Sequence, residues 1–303
     1  MKTVGSVLGD WGLRLLGHLP AGFHRRASGF VKWFMQKVLH YRESVMMTNL
    51  ARSFPEKKYK ELSQIADKSY LHIADLITQS IWFYGCQGPR GQKRFSKAGL
   101  LECTNPEVLD NLYKQGKSIM LLNSHCGNWE LMGGIIDMKG AITIDPKDIC
   151  VVYRKMKNSA WDAVFERGRS GLVRHRGFNG YIETENVLRY ALGRRGIPTL
   201  YIFNNDQHPF NKIAKSYDVG IFLNQRTEAM GGALAIARKL SMPVVFIHWD
   251  SSERWHYQIT FETIAPDASK VEIEQLLRAY YDRLEENIKE QPYNYLWTHK
   301  RWK

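Results

Sequence analysis

His125 and Glu130 are separated by four residues in the stretch from Asn123 to Glu130, and together they could form a base with its orienting acid. A neutral imidazole can take a proton from a hydroxyl when a carboxylate holds its other ring nitrogen in the N–H form. The competing interpretation is a histidine with a structural role at a strand end, because a His followed five residues later by an acid is common by chance. The pair alone therefore suggests general-base chemistry without establishing it.

The predicted elements around this pair favour such a site. The apolar run from Ser118 to Leu122 predicts a buried strand, which would release His125 at its C-terminal edge. Edges of this kind host the chemistry of α/β folds. A helix that begins near Asn128 would hold Glu130 in its first turn, where the helix dipole stabilises a carboxylate.

Polar residues also follow two other predicted strands. Arg154 comes after the run from Ile149 to Tyr153, and Asp206 with Gln207 comes after the run from Thr199 to Phe203. By spacing alone, the guanidinium could bind a phosphate through two hydrogen bonds or lie on the surface. The aspartate could equally cap a helix or form a turn.

Several ordered blocks over residues 100–303 resemble the lipid A late acyltransferases, the lauroyl/myristoyl-transferase branch of the lysophospholipid acyltransferases. That family carries a His-x4-Asp motif, typically His-x4-Glu in this branch, which His125 and Glu130 match. The other matching blocks are Val152-Tyr-Arg154, Asn205-Asp-Gln207 with Pro209, Phe222-Leu-Asn-Gln-Arg-Thr227, Gly231 to Arg238 with Met242-Pro-Val-Val245, and Tyr295 to Trp302.

The resemblance implies roles for individual residues. His125 would be the general base, and Glu130 would hold and support its imidazolium. Arg154 would bind or orient a phosphorylated glycolipid, whereas Asp206 and Gln207 would contact the substrate or support the pair. The implied substrate-binding residues are Asn128, Arg154, Asp206, Gln207, Arg226 and Thr227.

The implied reaction is acyl transfer from a thioester to a hydroxyl of a lipid A precursor, in lipopolysaccharide biosynthesis. Acyl carrier protein is the expected donor, and acyl-CoA is the alternative. No metal or resident cofactor is expected, because a thioester is already activated. The alternative enzyme is a lysophospholipid or aminolipid O-acyltransferase with the same His125 and Glu130 pair. The alternative outside enzymes is a basic, non-catalytic protein that binds a membrane or nucleic acid. The intact pair disfavours that alternative, so nucleic acid is not an expected partner.

Charge and composition restrict the partners. Forty-three Lys and Arg against 30 Asp and Glu give a net charge of +13, which favours nucleic acid, an anionic bilayer surface or an acidic carrier protein. Nine Trp and 15 Tyr fit a membrane interface or an aromatic-rich core. The family resemblance implies a location at the cytoplasmic face of the inner (plasma) membrane, as a peripheral or monotopic protein.

The N-terminal segment from Val4 to Leu19 is too short and too charged to predict a spanning helix or a signal peptide. Leu8, Trp11 and Leu15 nevertheless recur at helical spacing. An interfacial helix and an ordinary packed helix are both consistent with this pattern.

The four cysteines Cys86, Cys103, Cys126 and Cys150 form neither a C-x-x-C pair nor zinc-finger spacing, so reduced thiols without a metal are expected. Cys126 adjoins His125 and invites a nucleophile hypothesis, but neighbouring side chains on a turn usually point apart. Phosphate-loop, dinucleotide and G-x-S-x-G motifs are missing from the sequence, which argues against nucleotide binding and serine-hydrolase chemistry.

Alternating strand-like and helical runs after residue 90 predict an α/β fold with a mixed, largely parallel sheet flanked by helices, as in glycerolipid acyltransferases. Before them, Tyr59 to Phe83 has the periodicity of one long amphipathic helix, ended by a loop from Gln87 to Gly91. Lys212 to Lys215 is predicted as a loop. We therefore expect an N-terminal helical arm over residues 1–90, which could lie at a membrane interface, and an α/β acyltransferase domain over residues 91–303.

Overall fold

The computed structural model describes residues 4–156, 158–209 and 216–302, with side chains from residue 7 onward. The strands are β1 (Leu101–Cys103), β2 (Ile119–Asn123), β3 (Ile149–Tyr153), β4 (Tyr181–Glu183), β5 (Leu200–Asn204), β6 (Ser216–Phe222), β7 (Gln225–Met230), β8 (Val244–Asp250) and β9 (Tyr257–Ala265). The helices are α1 (Val4–Gly17), α2 (Ala21–Trp33), α3 (Glu43–Ser53), α4 (Tyr59–Tyr84), α5 (Gly88–Ala98), α6 (Glu107–Lys114), α7 (Ser159–Ser170), α8 (Val187–Gly193), α9 (Gly232–Lys239) and α10 (Ile273–Glu290).

The sheet has seven strands in the order β1-β9-β8-β2-β5-β3-β4. The five strands from β8 to β4 run parallel, whereas β9 is antiparallel to β8 and β1 runs with β9. Every residue of β2 is buried, as expected for a central strand covered by helices on both faces. The predicted α/β class with a mixed, largely parallel sheet is confirmed.

The N-terminal helices share their core with the sheet. Met46 and Leu50 of α3 and Trp82 of α4 belong to the same cluster of buried side chains as Leu121 and Val245 of the sheet. Because α5 spans residues 88–98, it crosses the domain boundary predicted at residue 90, and that boundary stays a prediction. Within the described residues, none of the helices has the length and apolar character needed to cross a membrane.

The predicted strands from Ser118 to Leu122, Ile149 to Tyr153 and Thr199 to Phe203 are present within a few residues of their expected ends, as is the long helix α4. The loop predicted from Gln87 to Gly91 is wrong in part, because Gly88 begins α5 with a proline at its first turn. The hairpin of β6 and β7 was not predicted as strands. Lys212 to Lys215, predicted as a loop, lies outside the described residues.

Candidate active site

The turn after β2 presents His125 at the carboxyl edge of the sheet. Gly127 adopts a positive φ of 57°, and a Cβ there would lie 2.2 Å from the ring of Trp249, so only glycine fits without displacement. The Gly127 N–H donates to the side chain of Asn294 at 2.8 Å. The Trp129 ring packs edge-on against the imidazole, with centroids 4.7 Å apart. The C-terminal tail and Trp249 thus fix the loop that carries the histidine.

Asp206 is the carboxylate that holds the imidazole. Its Oδ1 lies 2.7 Å from His125 Nδ1, and its Oδ2 accepts from the His125 backbone N–H at 3.2 Å. The strand register explains this contact. The last residue of β2, Asn123, pairs with the last residue of β5, Asn204. His125 and Asp206 each come two residues after these paired ends. Asp206 is only 2% exposed, so its charge acts without much solvent screening.

The other imidazole nitrogen faces Gln207. Gln207 Nε2 lies 3.1 Å from His125 Nε2. An amide nitrogen donates, so Nε2 accepts here and Nδ1 carries the proton donated to Asp206. This is the tautomer that a general base requires, with the lone pair of Nε2 free to accept a proton from a hydroxyl that replaces the amide.

Glu130 does not make the hydrogen bond to His125 that the spacing predicts. Its carboxylate instead accepts two hydrogen bonds from Arg169 of α7, each 2.6 Å long, and the Arg169 guanidinium also donates to the hydroxyl of Tyr181 at 2.9 Å. The reason is local: a 3-10 helix, not an α-helix, runs from Trp129 to Gly134 and turns Glu130 toward α7. The expected orienting role thus lies with Asp206 in this geometry, and the expected catalytic importance of Glu130 stays a prediction.

Both carboxylates are held ionised. Burial raises the pKa of Asp206, but attraction to the imidazolium form of His125 and the hydrogen bonds from His125 outweigh it, so that the pKa of Asp206 lies below its usual range. Burial likewise raises the pKa of Glu130, and the Arg169 charge and hydrogen bonds, with a smaller effect of His125, bring that pKa below its usual range. The site therefore contains two carboxylates that carry negative charge, the buried one of Asp206 and the half-buried one of Glu130.

A cavity of about 920 Å³ opens beside His125. Val151 and Val152 both line it, and because neighbouring strand residues point to opposite faces, the cavity borders both faces of the sheet at this edge. One apolar wall comes from the 3-10 helix after β2 and the chain after α7, and the other comes from α8 and α9. The first wall contains Met132, Ile135, Val173 and Phe178, and the second contains Val187, Leu188, Ala233 and Ile236. The charged lining residues are Glu130, Arg154, Lys155, Arg169, Glu183, Glu185 and Lys239.

Three of the six predicted substrate-binding residues lie at the cavity or against His125, and the other three do not line the cavity. Arg154 and Gln207 line the cavity, and Asp206 lies directly behind His125. The Asn128 side chain instead caps the 3-10 helix by accepting from the Glu130 N–H at 3.2 Å and donates to Gln79. That contact confirms Asn128 as a helix start, while its predicted contact with substrate stays a prediction.

Arg226 and Thr227 lie in the β6-β7 hairpin, outside the cavity lining. The exposed Arg226 guanidinium pairs with Asp218 at 2.9 Å. The buried Thr227 hydroxyl accepts from the indole N–H of Trp302 at 2.9 Å. The structure thus does not bring these two side chains to His125, and their contact with a substrate stays a prediction.

Sequence reasoning missed Arg169 as a site residue, because an arginine late in an amphipathic helix has no distinguishing spacing. It also left the C-terminal tail without a role. Arg301 of the tail is buried and donates to the Glu228 carbonyl at 2.7 Å and to the Tyr281 hydroxyl at 2.9 Å. The Tyr281 hydroxyl in turn donates to the carbonyl of Asn205, next to Asp206. The tail therefore supports the carboxylate side of the site.

Cys126 is a poor nucleophile in this structure. Its side chain is fully buried, and burial raises the pKa of its thiol far above the usual range. Since the thiolate is the reactive form, this environment disfavours covalent catalysis by Cys126.

The chain matches one family model, described as bacterial lipid A biosynthesis acyltransferase, over residues 1–303. No curated protein gives a significant match to it.

Proposed function

The chain belongs to the bacterial lipid A biosynthesis acyltransferase family and is thus an acyltransferase, and we propose that it moves a fatty acyl chain from acyl carrier protein to a hydroxyl of a lipid A precursor. The observation that carries this proposal is the hydrogen-bonded pair of His125 and Asp206 at the mouth of a cavity with two apolar walls. A hydroxyl nucleophile needs a base, and two hydrocarbon chains need two apolar surfaces.

In the proposed reaction, the acceptor hydroxyl displaces the Gln207 amide from His125 Nε2 and gives its proton to that nitrogen as its oxygen attacks the thioester carbonyl. The tetrahedral intermediate collapses with cleavage of the carbon–sulfur bond, and the imidazolium returns the proton to the leaving thiolate. Asp206 keeps Nδ1 protonated and offsets the positive charge of the imidazolium throughout. A positioned base of this kind typically contributes about a hundred- to ten-thousand-fold in rate.

The cavity suits both substrates. One apolar wall can take the donor acyl chain, and the other can take an acyl chain of the acceptor. Arg154 and Lys239 at its lining are suited to the phosphates of a glycolipid or of the phosphopantetheine arm. The thioester is already activated, so the proposed reaction needs no metal or resident cofactor.

Lipid A biosynthesis implies association with a membrane, and we propose the cytoplasmic face of the inner membrane as the site of the reaction. Acyl carrier protein is proposed as the donor because its acidic surface complements a chain of net charge +13. Acyl-CoA offers the same thioester and is the alternative donor.

Acyl transfer from acyl carrier protein thioesters to a tetra-acylated lipid A precursor tests the proposal, with wild type, His125→Ala and Asp206→Asn compared in detergent. We expect transfer by the wild type and collapse in both variants while they remain folded by circular dichroism. Transfer only to a lysophospholipid or aminolipid would replace the proposed acceptor, and full activity of His125→Ala would overturn the mechanism.

A further inference from the structure

Helix α1 has an exposed apolar face that is unusual for a surface helix. Leu8, Trp11 and Leu15 are 67%, 71% and 74% exposed, and their spacing of three and four residues places them on one side of α1. Three large apolar side chains in a row on the exposed face of one helix mark an interaction surface, because scattered single residues are the norm.

Helix α7 of the catalytic region packs beside α1. Gly9 of α1 lies against Trp161 of α7 so closely that an added Cβ would be 2.8 Å from the indole. Arg167 of α7 pairs with Asp10 of α1 at 3.4 Å. Trp161 and Phe165 are themselves exposed on α7. Exposed apolar side chains thus lie on two adjoining helices, and we call Leu8, Trp11, Leu15, Trp161 and Phe165 together the composite surface.

The composite surface leads to the active-site cavity. Trp161, Phe165 and Arg169 follow one another at intervals of four residues, which makes a single stripe along α7. The Arg169 guanidinium lies over the Phe165 ring, 5.7 Å from its centroid, and Arg169 lines the cavity while holding Glu130. One end of the stripe is therefore part of the exposed apolar surface, and its other end is part of the site.

The charge of the N-terminal segment around α1 indicates that the partner of this surface is an anionic bilayer. Residues 1–42 contain a single acidic residue, Asp10, and seven basic ones: Lys2, Arg14, Arg25, Arg26, Lys32, Lys37 and Arg42. Arg14, Arg25 and Lys37 are exposed. Apolar insertion flanked by cations is the pattern of an interfacial helix on anionic lipid.

We propose that α1 and the exposed side of α7 form one surface that docks on an anionic bilayer and delivers the lipid acceptor along the Phe165–Arg169 end of α7 into the cavity. The docking part stands on the surface alone, whereas the delivery part rests on the proposed function. A second copy of this chain is the competing occupant.

Vesicle co-flotation of the full chain tests the docking part. We compare wild type, Trp11→Asp/Leu15→Asp, and the control Ile221→Asp, which charges an exposed apolar residue of the β6-β7 hairpin. Burial of two large apolar side chains predicts that the double variant binds vesicles of phosphatidylcholine and phosphatidylglycerol at least about tenfold more weakly, while the control binds like the wild type. Equal vesicle binding by all three proteins would overturn the proposal. A dimer formed by the wild type and by the control, but not by the double variant, would also overturn it.

The delivery part is tested by presenting the acceptor in the same vesicles and, separately, in detergent micelles. We expect the double variant to lose transfer in vesicles and to retain it in detergent. Equal loss in both formats would overturn the delivery role. If the wild type transfers no acyl chain in either format, the proposed function fails, and the vesicle-binding comparison still decides the docking surface.

Discussion

At the scale of single residues, the site contains two carboxylates, buried Asp206 and half-buried Glu130, that have different partners. Asp206 accepts from Nδ1 of His125, whereas Glu130 accepts two hydrogen bonds from Arg169. The His-x4-Glu spacing therefore identifies two residues of one site without identifying the hydrogen bond between them. Asp206 acts on the base, and Glu130 acts on an arginine of the cavity wall.

Asp206→Asn removes the charge that stabilises the imidazolium while keeping the size of the side chain. We expect kcat to fall by roughly a hundred- to ten-thousand-fold with a smaller change in KM, because the charge matters mainly when the imidazole is protonated. Steady-state kinetics on acyl thioesters measures both constants. A wild-type kcat in the folded variant would remove Asp206 from the mechanism.

Glu130→Gln and Arg169→Met each break the same bidentate ion pair, the one between Glu130 and Arg169. Because the two side chains act as a unit, we expect the double variant to lose little more activity than either single variant, with a coupling of about 0.5–3 kcal/mol in kcat/KM. The cycle of Glu130→Gln with Asp206→Asn serves as the comparison and should show weaker coupling. The reverse order of the two couplings would favour a direct role of Glu130 on His125.

At the scale of elements, the site depends on the turns and short segments at the carboxyl ends of the parallel strands. The in-register pairing of β2 with β5 brings His125 to Asp206, and the short 3-10 helix after the β2 turn directs Glu130 to α7. The turn itself depends on Gly127, whose left-handed backbone lies against Trp249. A side chain at this position would strain the backbone and displace the indole.

Gly127→Ala should destabilise the protein by about 2 kcal/mol or more, from the left-handed backbone and the contact with Trp249 together. Gly116→Ala is the matched control, since Gly116 also has a positive φ, of 75°, but a Cβ added there would have no atom of the described residues within 4 Å. Urea unfolding gives both free energies. Equal losses in the two variants would show that the Trp249 contact has no energetic weight.

At the scale of the whole molecule, buried groups connect stability to pH. His72 of α4 is buried in the core between the arm and the sheet, and burial lowers its pKa to about 4 despite the opposing charge of Asp75. The pKa values of Asp206 and Glu130 also lie below their usual ranges. His72 and the two carboxylates therefore bind protons less readily in the folded chain than in the unfolded chain.

Acid should therefore destabilise the fold in two steps. His72 gains its proton near pH 6.5 in the unfolded chain but only near pH 4 in the folded chain. The contribution of neutral His72 to the free energy of unfolding is therefore complete above pH 6.5 and is lost as the pH falls to 4. The loss amounts to about 3 kcal/mol in all. The carboxylate contributions are lost at lower pH, as it falls through their folded pKa values. Urea unfolding of wild type and His72→Gln between pH 7 and pH 4 measures the first step, and we expect a flatter dependence in the variant. Parallel curves for the two proteins would contradict this assignment.

The sequence by itself determined the strand that ends before His125, the long helices and the polar residues that come after the strands. These features depend on local periodicity and on residue type, which one segment of chain contains in full. Asp206 could be placed at a strand end in this way, since its neighbours in sequence form that strand. The apolar face of α1 was also readable from spacing, although its exposure was not.

Only the tertiary structure decided which carboxylate holds His125. Asp206 is 81 residues away along the chain, and its contact follows from the register of two parallel strands that pattern alone does not specify. Glu130 is near in sequence, yet the 3-10 helix turns it toward Arg169, a residue without a sequence signal. Hydrogen bonds between side chains depend on direction and distance in three dimensions, so spacing could nominate these partners but not pair them.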